Sequence, residues 1–450
     1  MHIEFPYGKT RLPLDIEDER VKGVLVSDLH HYKAEKAPEE LVEDALSSPI
    51  GSESLSELSK GKNNVVLICS DHTRPVPSKI LVPPMLREIR KGNKNADITI
   101  LISTGCHRET TKEELVNKFG EEIVEKEKIV IHKASESEFT FLGILPSGGE
   151  LLVNKLVADA DLVVAEGFIE PHFFAGFSGS RKSILPGVAS RTTVLANHCS
   201  EFIADPHSRT GILEGNPIHK DMVWAARKAK LAFILNVVID SEKKPIFAVA
   251  GDMEKAHEEG CRFLSSLCRV KAKKADIVIS TNGGYPLDQN IYQAVKGMTA
   301  AEVTVNDGGV IIMLSASNDG IGGDDFYHQM ADEKDIYKTM ALFMSRGRNE
   351  TVPDQWQTQI FLRILMKAKV VYVSSAPDNI VEDLHMVPAH SLEEALSKAE
   401  EILGNKKASV TMIPDGVSVI VEEQNRGEIW QNGVFCWNIS PFLFMLKQKE

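Results

Sequence analysis

Three histidines and one lysine stand where side chains can move protons or bind a ligand. His107, His172 and His198 each lie in or next to a loop that follows a short apolar run. A neutral imidazole takes and returns a proton near physiological pH, and it is also a common metal ligand. Lys182 lies among glycines and apolar residues, where burial can make its amine a nucleophile or a covalent anchor. These residues predict an active site centred on Lys182 and His198.

The stretch 171–187 around Lys182 combines three glycines, several hydroxyl groups, Arg181 and three phenylalanines. Glycines allow the backbone to approach a ligand closely, and free N–H groups beside two cations suit an anion. The spacing does not match the P-loop, so an ATPase is not indicated. Two interpretations of the phenylalanines stay open, as part of the core or as the wall of a pocket that excludes water.

Other polar residues have a structural and a functional interpretation. Asp71 and Thr73 can cap the helix that follows them, and Arg74 either pairs with a surface carboxylate or binds a substrate carboxylate or a phosphate. Gln289, Gln293 and Lys296 recur at helical spacing and are predicted to share one helix face, turned to solvent or to a cleft.

The same holds for two residues in the middle and late parts of the chain. His198 follows a helical pattern and is by itself as consistent with a core histidine as with a metal ligand. Trp356 either lines a cleft or packs between domains.

Apolar, β-branched runs alternate with amphipathic stretches and position these residues. The predicted strands are Asn64–Cys69, Ile98–Ser103, Leu162–Ala165, Ala232–Ile239, Ile277–Ser280, Gly309–Leu314, Val370–Ser374 and Val417–Glu422. The predicted helices are Pro77–Lys91, Lys112–Phe119, Lys220–Lys230, Met253–Val270, Asp332–Arg346 and Ser391–Leu403. This alternation predicts an α/β fold with mostly parallel sheets, whose ligands bind at the carboxyl ends of the strands.

The length of 450 residues predicts two α/β lobes rather than one. A basic stretch at Lys271–Lys274 marks the boundary, which gives a first lobe at 1–270 and a second at 275–425. A final segment, 426–450, is predicted to pack back on either lobe. We expect the active site in the cleft between the lobes.

Composition excludes several classes of protein. With 43% hydrophobic and 26% charged residues the chain is globular, and its net charge of −13 disfavours a nucleic-acid partner. Its six cysteines form no metal-binding pairs, and no apolar run is long enough to span a membrane. The N-terminus lacks the features of a signal peptide, so a cytoplasmic protein is expected.

Five segments together resemble the nickel-dependent lactate racemase family and its relatives. The resemblance covers nearly the whole chain, and each segment keeps its order along it. The segments are Asp71-x-Thr73-Arg74-Pro75, Thr104-Gly105-x-His107-Arg108, His172–Gly187, Asn197-His198 and Gly283–Lys296. Two positions depart from the family pattern, with Ser180 in place of glycine and Cys106 in place of threonine.

The resemblance implies a nickel-pincer nucleotide cofactor, derived from nicotinic acid mononucleotide and tethered through a thioamide to Lys182. His198 matches the nickel ligand, and His107 and His172 match the two histidines that transfer protons. The residues that match cofactor contacts are Asp71, Arg74 and Ser178, and those that match substrate contacts are Arg74, Gln293, Lys296 and Trp356.

The family chemistry implied here is racemisation or epimerisation of a 2-hydroxy acid, such as lactate. The hydride on C2 moves to the cofactor and returns to the opposite face of a 2-keto acid, while the two histidines handle the hydroxyl proton. Expected partners are the small substrate and the proteins that assemble the cofactor. The competing hypothesis is a non-catalytic α/β protein that binds a nucleotide or phosphate. A nicotinamide dehydrogenase is weakly supported, because the Gly-x-Gly-x-x-Gly motif is missing.

Overall fold

A computed structural model describes residues Met1–Glu423 of the chain. It contains two six-stranded sheets with helices packed around them, which confirms the predicted α/β class. The predicted C-terminal segment 426–450 lies outside the described residues.

The first sheet is built from buried apolar strands, as the continuous hydrophobic runs predict. In spatial order its strands are Pro245–Gly251, Leu231–Ile239, Leu162–Phe168, Asn64–Ser70, Asp97–Ser103 and Lys128–Ile131. The edge strand Pro245–Gly251 is antiparallel to its neighbour, and all other pairs are parallel. The loops that carry Asp71, His107 and His172 therefore all leave the sheet at the carboxyl ends of its parallel strands.

The second sheet is entirely parallel. Its strands, in spatial order, are Val387–Ala389, Lys369–Val373, Val305–Leu314, Ala275–Thr281, Val410–Ile413 and Val21–Val24. The last pair joins opposite ends of the chain, because Val21–Val24 lies beside Val410–Ile413. This pairing places an N-terminal strand in the second sheet. The lobe boundaries 1–270 and 275–425 stay a prediction.

Helices of moderate length cover both sheets. Around the first sheet they are Pro38–Ser47, Leu55–Leu58, Ser78–Gly92, Lys112–Phe119, Glu121–Lys126, Lys155–Ala158, Arg191–Asn197, Ser200–Ala204, Pro217–Lys228 and Lys255–Cys268. Around the second they are Ile291–Thr304, Asp324–Ala331, Ile336–Ser345, Gln355–Lys367, Asp378–Asp383 and Leu392–Leu403. A capping box begins the predicted helix Lys112–Phe119, in which the Thr111 and Glu114 side chains accept hydrogen bonds from each other's backbone N–H groups.

Two predicted elements begin at least three residues later than predicted. The helix predicted at 332–346 begins only at Ile336, because Asp335 caps it through the N–H of Tyr337. The strand predicted at 417–422 is reduced to Ile420–Glu422, which pairs with Arg269–Lys271 outside both large sheets. Three short hairpins complete the fold, at His2–Tyr7 with Thr10–Asp15, Phe139–Ile144 with Glu150–Asn154, and Pro171–His172 with Gly176–Phe177.

One of the buried hydrophobic clusters contains residues of both lobes. Ile68 and Phe174 of the first lobe belong to the same buried cluster as Met298 and Phe361 of the second. Within residues 1–423, none of the helices has the length and apolar character needed to cross a bilayer.

Candidate active site

Asp71 and His107 form a hydrogen-bonded pair at the ends of two neighbouring strands. The Asp71 carboxylate is buried, and its Oδ2 lies 2.7 Å from Nδ1 of the half-exposed His107 ring. A carboxylate only accepts hydrogen bonds, so Nδ1 carries the proton and Nε2 keeps its lone pair. Burial alone would raise the pKa of Asp71, but the bonds from His107 and Thr73 and the charge of Arg74 bring it below its usual value.

Glu166 fixes the turn that carries this pair, and it was not singled out from the sequence. Its carboxylate is buried and accepts hydrogen bonds from the backbone N–H and hydroxyl of Ser70, at 2.9 and 3.0 Å. Its other oxygen accepts from Ser78 at 3.2 Å. Glu166 therefore joins the end of strand Asn64–Ser70 to the start of the next helix and positions the residues between them.

His172 lies in the hairpin Pro171–His172 with Gly176–Phe177, in an apolar and cationic environment. Its Nδ1 accepts a hydrogen bond from the N–H of Ala175 at 3.3 Å, which places the proton of the neutral ring on Nε2. Burial lowers the pKa of His172 well below its usual value, and the charges of Lys182, Lys296 and Arg74 lower it further.

Phenylalanines surround this ring. Phe173 stacks on His172 with the ring centres 5.2 Å apart, and Phe174 meets it edge-on at 4.5 Å. Both phenylalanines are buried, and Phe174 also lies edge-on to His198 at 5.2 Å. The phenylalanines therefore belong to the core, as the first interpretation holds, and their role as the wall of a pocket stays a prediction.

Lys182 lies on a short 3-10 helix, Ser180–Ser183, and its Nζ is 5.8 Å from the centre of the Phe174 ring. Burial, together with the charges of Arg181 and Arg74, lowers the pKa of Lys182 well below its usual value, and Glu170 opposes the shift. A lysine amine that gives up its proton easily is a nucleophile at neutral pH. The turn therefore presents, beside the Phe174 ring, an amine whose charged form is disfavoured.

Arg181 holds that turn in place from within the protein. Its guanidinium is fully buried and donates to the carbonyls of Ala175, Ser178 and Gly179 at 2.9 to 3.2 Å. Its Nε donates to His219 Nδ1 at 3.1 Å. The sequence suggested a cation that faces a ligand here, but the guanidinium donates instead to backbone carbonyls and to His219.

The Ser180 departure from the family pattern has a visible structural consequence. Ser180 has a φ of 51°, in the left-handed region that favours glycine. Its hydroxyl donates to the carbonyl of Met253, and its N–H donates to Asn236 Oδ1 at 2.9 Å. These bonds hold the serine in a backbone conformation that glycine would adopt without strain.

Ser178 is buried and engaged by the backbone. Its hydroxyl donates to the carbonyl of Phe168 and accepts from the N–H of Glu170, both at 2.9 Å. It closes the loop between strand Leu162–Phe168 and the hairpin, and its contact with a cofactor stays a prediction.

Glu170 is an acid among the site's cations that sequence reasoning passed over. Burial raises its pKa, while the charges of Arg74, Lys296 and Lys182 oppose that shift. Its position two residues before His172, at the end of a strand, was the feature of the sequence that could have identified it.

His198 ends the helix Arg191–Asn197, as predicted, and is buried. Its Nδ1 donates to the carbonyl of Val194 at 3.0 Å, so the lone pair is on Nε2. Burial, with the charge of Lys182, lowers its pKa to about 3, so the ring is neutral at pH 7. A neutral imidazole with one nitrogen fixed by a carbonyl is the usual form of a histidine metal ligand.

The second lobe contributes Lys296 and Trp356 to the same region. The Lys296 Nζ lies 6.0 Å from the centre of the Phe173 ring, and burial together with Arg74 lowers its pKa to about 8. Trp356 meets the His198 ring edge-on at 5.1 Å.

Gln293 and Gln289 occupy different structural settings. Gln293 lies with Lys296 on the helix Ile291–Thr304, whereas Gln289 precedes that helix. The helix is capped by Asn290, whose side chain accepts from the N–H of Gln293 at 2.9 Å. The prediction that Gln289 shares their helix face was therefore wrong.

These residues fit a lysine-tethered cofactor that carries its own metal ligands. No group of three or more His, Cys, Asp or Glu side chains within residues 1–423 could hold a metal ion by itself. A metal next to His198 would need its other ligands from a non-protein group. The neutral His198 ring and the readily deprotonated Lys182 amine both suit such a group.

Comparison with known proteins matches both lobes to one family. The family model described as the lactate racemase N-terminal domain matches residues 7–211, and that of the lactate racemase C-terminal domain matches residues 270–421. A lactate racemase of Thermoanaerobacterium thermosaccharolyticum is 56% identical over 94% of this chain and 100% of its own length. One of Lactiplantibacillus plantarum is 53% identical over 93% of this chain and 99% of its own.

A solved structure agrees with the sequence comparison. The lactate racemase apoprotein from Thermoanaerobacterium thermosaccharolyticum superposes with a TM-score of 0.91 at 56% identity, covering 94% of this chain and all of that one.

Proposed function

This chain belongs to the lactate racemase family, and on that premise we propose that it interconverts the two enantiomers of a 2-hydroxy acid, lactate first. It is an isomerase, which decides against the hypothesis of a non-catalytic phosphate-binding protein. The cofactor, the role of each residue and a cytoplasmic location remain part of the proposal.

The observation that carries the proposal is a pair of histidines held in different tautomers, of which His172 also feels the charge of Lys182. His107 has a lone pair on Nε2 because Asp71 holds its other nitrogen, and His172 has a proton on Nε2. A racemase needs one group that accepts the hydroxyl proton of the substrate and another that serves the opposite enantiomer. His107 would accept the hydroxyl proton of one enantiomer at its free Nε2, and serving the other enantiomer is the role proposed for His172.

Lys182 would tether the nickel-pincer nucleotide and His198 Nε2 would complete the coordination of nickel. Asp71, Arg74 and Ser178 would contact the nucleotide. When bound, this group supplies the hydride acceptor for the hydrogen on C2.

The protein's own groups bind and orient the substrate. Arg74 and Lys296 carry the positive charge that would hold the substrate carboxylate and stabilise the developing alkoxide. Gln293 and Trp356 complete the predicted substrate contacts from the second lobe. The buried rings of Phe173 and Phe174 would keep water from C2, in a site between the lobes.

The test uses chain produced together with the cofactor-assembly proteins. Intact mass and metal analysis should give an added mass on Lys182 and bound nickel, and chiral analysis should show each lactate enantiomer converted to the other. Lys182→Arg keeps a long basic side chain without the amine nucleophile and should abolish both the added mass and the activity. Racemisation by a chain of unmodified mass without nickel would contradict the cofactor assignment.

A second arm of this test addresses the substrate. A loaded enzyme that ignores lactate but racemises a larger member of a panel of single-enantiomer 2-hydroxy acids would overturn lactate and keep the reaction class.

A further inference from the structure

The helix Gln355–Lys367 of the second lobe packs on the segment of the first lobe that carries His198. Trp356 lies on the helix face that meets this segment, and its ring crosses the His198 ring at 68° with the centres 5.1 Å apart. Gln359 is three residues further along and therefore lies on the same face. Trp356 contacts His198, and Gln359 contacts Ser200 two residues further along the first lobe.

Gln359 and Ser200 form a reciprocal hydrogen-bonded pair across the lobes. The Ser200 hydroxyl donates to Gln359 Oε1 at 2.8 Å, and Gln359 Nε2 donates to the Ser200 carbonyl at 2.9 Å. Both residues are nearly inaccessible to solvent, at 2% and 3% exposure. A buried amide with both ends satisfied tolerates little displacement, because any shift leaves polar groups unpaired without water.

A second contact closes the outer edge of this junction. Arg348 binds Glu201 through Nε and Nη2, both at 2.8 Å, and donates to the carbonyl of Ser147. The Arg348 and Glu201 side chains are 39% and 63% exposed, so water screens their attraction. The buried pair of Gln359 and Ser200 is therefore the part of the junction that fixes geometry.

We propose that Gln359 is a positioning residue, which docks the second lobe on Ser200 and so holds Trp356 against the His198 ring. The His198 ring is then held by the Val194 carbonyl at Nδ1 and by the rings of Trp356 and Phe174. The orientation of His198 Nε2 is therefore fixed, and closure of the lobes is coupled to that orientation. The consequence for nickel rests on the proposed function, whereas the docking itself does not.

The variant that tests this is Gln359→Leu, which keeps the volume and removes both hydrogen bonds. The matched control is Thr358→Val, since Thr358 is equally buried on the same helix and donates to Gln329 within the second lobe at 2.8 Å. Ser200→Ala is a milder second variant that removes only one of the two bonds, in case Gln359→Leu does not fold.

Two measurements on the full chain read the docking directly. In the chain without cofactor, hydrogen exchange at the Ile203 amide, which bonds the Cys199 carbonyl, should be at least tenfold faster in Gln359→Leu and faster in Ser200→Ala. In the loaded enzyme, nickel loss to a chelator should also be at least tenfold faster. Thr358→Val should change neither rate more than twofold.

Equal rates in Gln359→Leu, Ser200→Ala and Thr358→Val would overturn the proposal and reduce the pair to ordinary packing. The two failures are distinguishable. A wild-type chain that binds no nickel contradicts the proposed function, and the exchange rate at Ile203 still decides whether Gln359 docks the lobes.

Discussion

The two histidines proposed for proton transfer differ in the group that the protein places on Nδ1. In His107 that nitrogen faces the buried carboxylate of Asp71, at 2.7 Å, and the ring is half-exposed. In His172 it faces the N–H of Ala175, and the ring is surrounded by phenylalanines and the cations Lys182, Lys296 and Arg74.

This difference shows how one residue type is given two starting states. An anion on Nδ1 favours a ring that accepts a proton at Nε2, whereas a donor on Nδ1 and nearby cations favour a neutral ring with Nε2 protonated. The comparison makes specific claims about each environment.

The largest expected effect comes from Asp71→Asn, which removes the anion from the His107 side of the comparison. The amide can donate to Nδ1 and so favours the wrong tautomer of the ring. We expect kcat to fall about a hundred- to ten-thousandfold, the range typical of a disabled acid–base group. The control is Asp161→Asn, where the carboxylate accepts only from the backbone N–H groups of Asn63 and Asn64. A loss below threefold in Asp71→Asn would end the assignment of His107 as a base.

A second effect concerns burial, which is the main cause of the lowered pKa of His172. His132 is buried away from the site and therefore shows the effect of burial by itself. Burial lowers the pKa of His132 to about 4, with Nε2 bonded to the Ala189 carbonyl and Nδ1 to Asn154. Between about pH 6.5 and 4 the unfolded chain binds a proton there that the folded chain does not. Stability should therefore fall with falling pH, by about 1.4 kcal/mol per pH unit for this histidine.

Urea unfolding of the wild type and of His132→Gln at pH 7.5 and pH 5.5 measures this contribution. The variant should lose less stability on acidification than the wild type does. An unchanged difference between the two pH values would show that burial does not set the protonation of this ring.

A third test removes one cation from the His172 environment. In chain without cofactor, Lys182→Met should raise the pKa of His172, because the Lys182 charge is the largest cause after burial. Burial remains, so the pKa should stay below the ordinary histidine value. An NMR titration of the histidine ring protons gives the result, with Lys79→Met on the helix Ser78–Gly92 as the control. A pKa that is unmoved in Lys182→Met would place the lysine charge too far from His172 to matter.

The smallest effect is expected at Ser180, on the turn that presents Lys182. Ser180→Gly relieves a φ of 51° and loses the hydroxyl bond to Met253, and these two changes oppose each other. Their balance should leave the unfolding free energy within about 1 kcal/mol of the wild type. Gly179→Ala is the contrasting variant, because its φ is 84° and a Cβ would lie 2.7 Å from Asn236 Oδ1. Thermal unfolding should rank it clearly below Ser180→Gly, and the reverse order would show that the turn is not held as described.

The sequence predicted local features of the fold better than distant pairings. Buried runs such as Asn64–Cys69 and the capped helix Lys112–Phe119 were recognised because their patterns are local. The strand Val410–Ile413 was missed, and so was its neighbour Val21–Val24. Each is only four residues long, and Val21–Val24 is a strand through a partner nearly four hundred positions away, while Val410–Ile413 also pairs with Ala275–Thr281.

The site divides in the same way. The types and loop positions of His107, His172, Lys182 and His198 were visible in the sequence, and the family resemblance gave their proposed roles. Three further residues act through buried hydrogen bonds to groups that are distant in the chain or belong to the backbone: Glu166, Arg181 and Gln359. No spacing in the sequence could therefore have predicted their roles. Arg181 shows the cost of this, because a cation that looked free for a ligand is the buried anchor of its own loop.

The central claim is that His107 and His172 act on the hydroxyl proton and leave the hydrogen on C2 to be transferred as a hydride. The direct test is to incubate the loaded enzyme with one enantiomer of lactate carrying deuterium at C2 in ordinary water. The account predicts that the opposite enantiomer forms more slowly than from unlabelled lactate and keeps its deuterium at C2. Product that carries solvent hydrogen at C2 would contradict it, because the histidines would then be abstracting the proton from carbon.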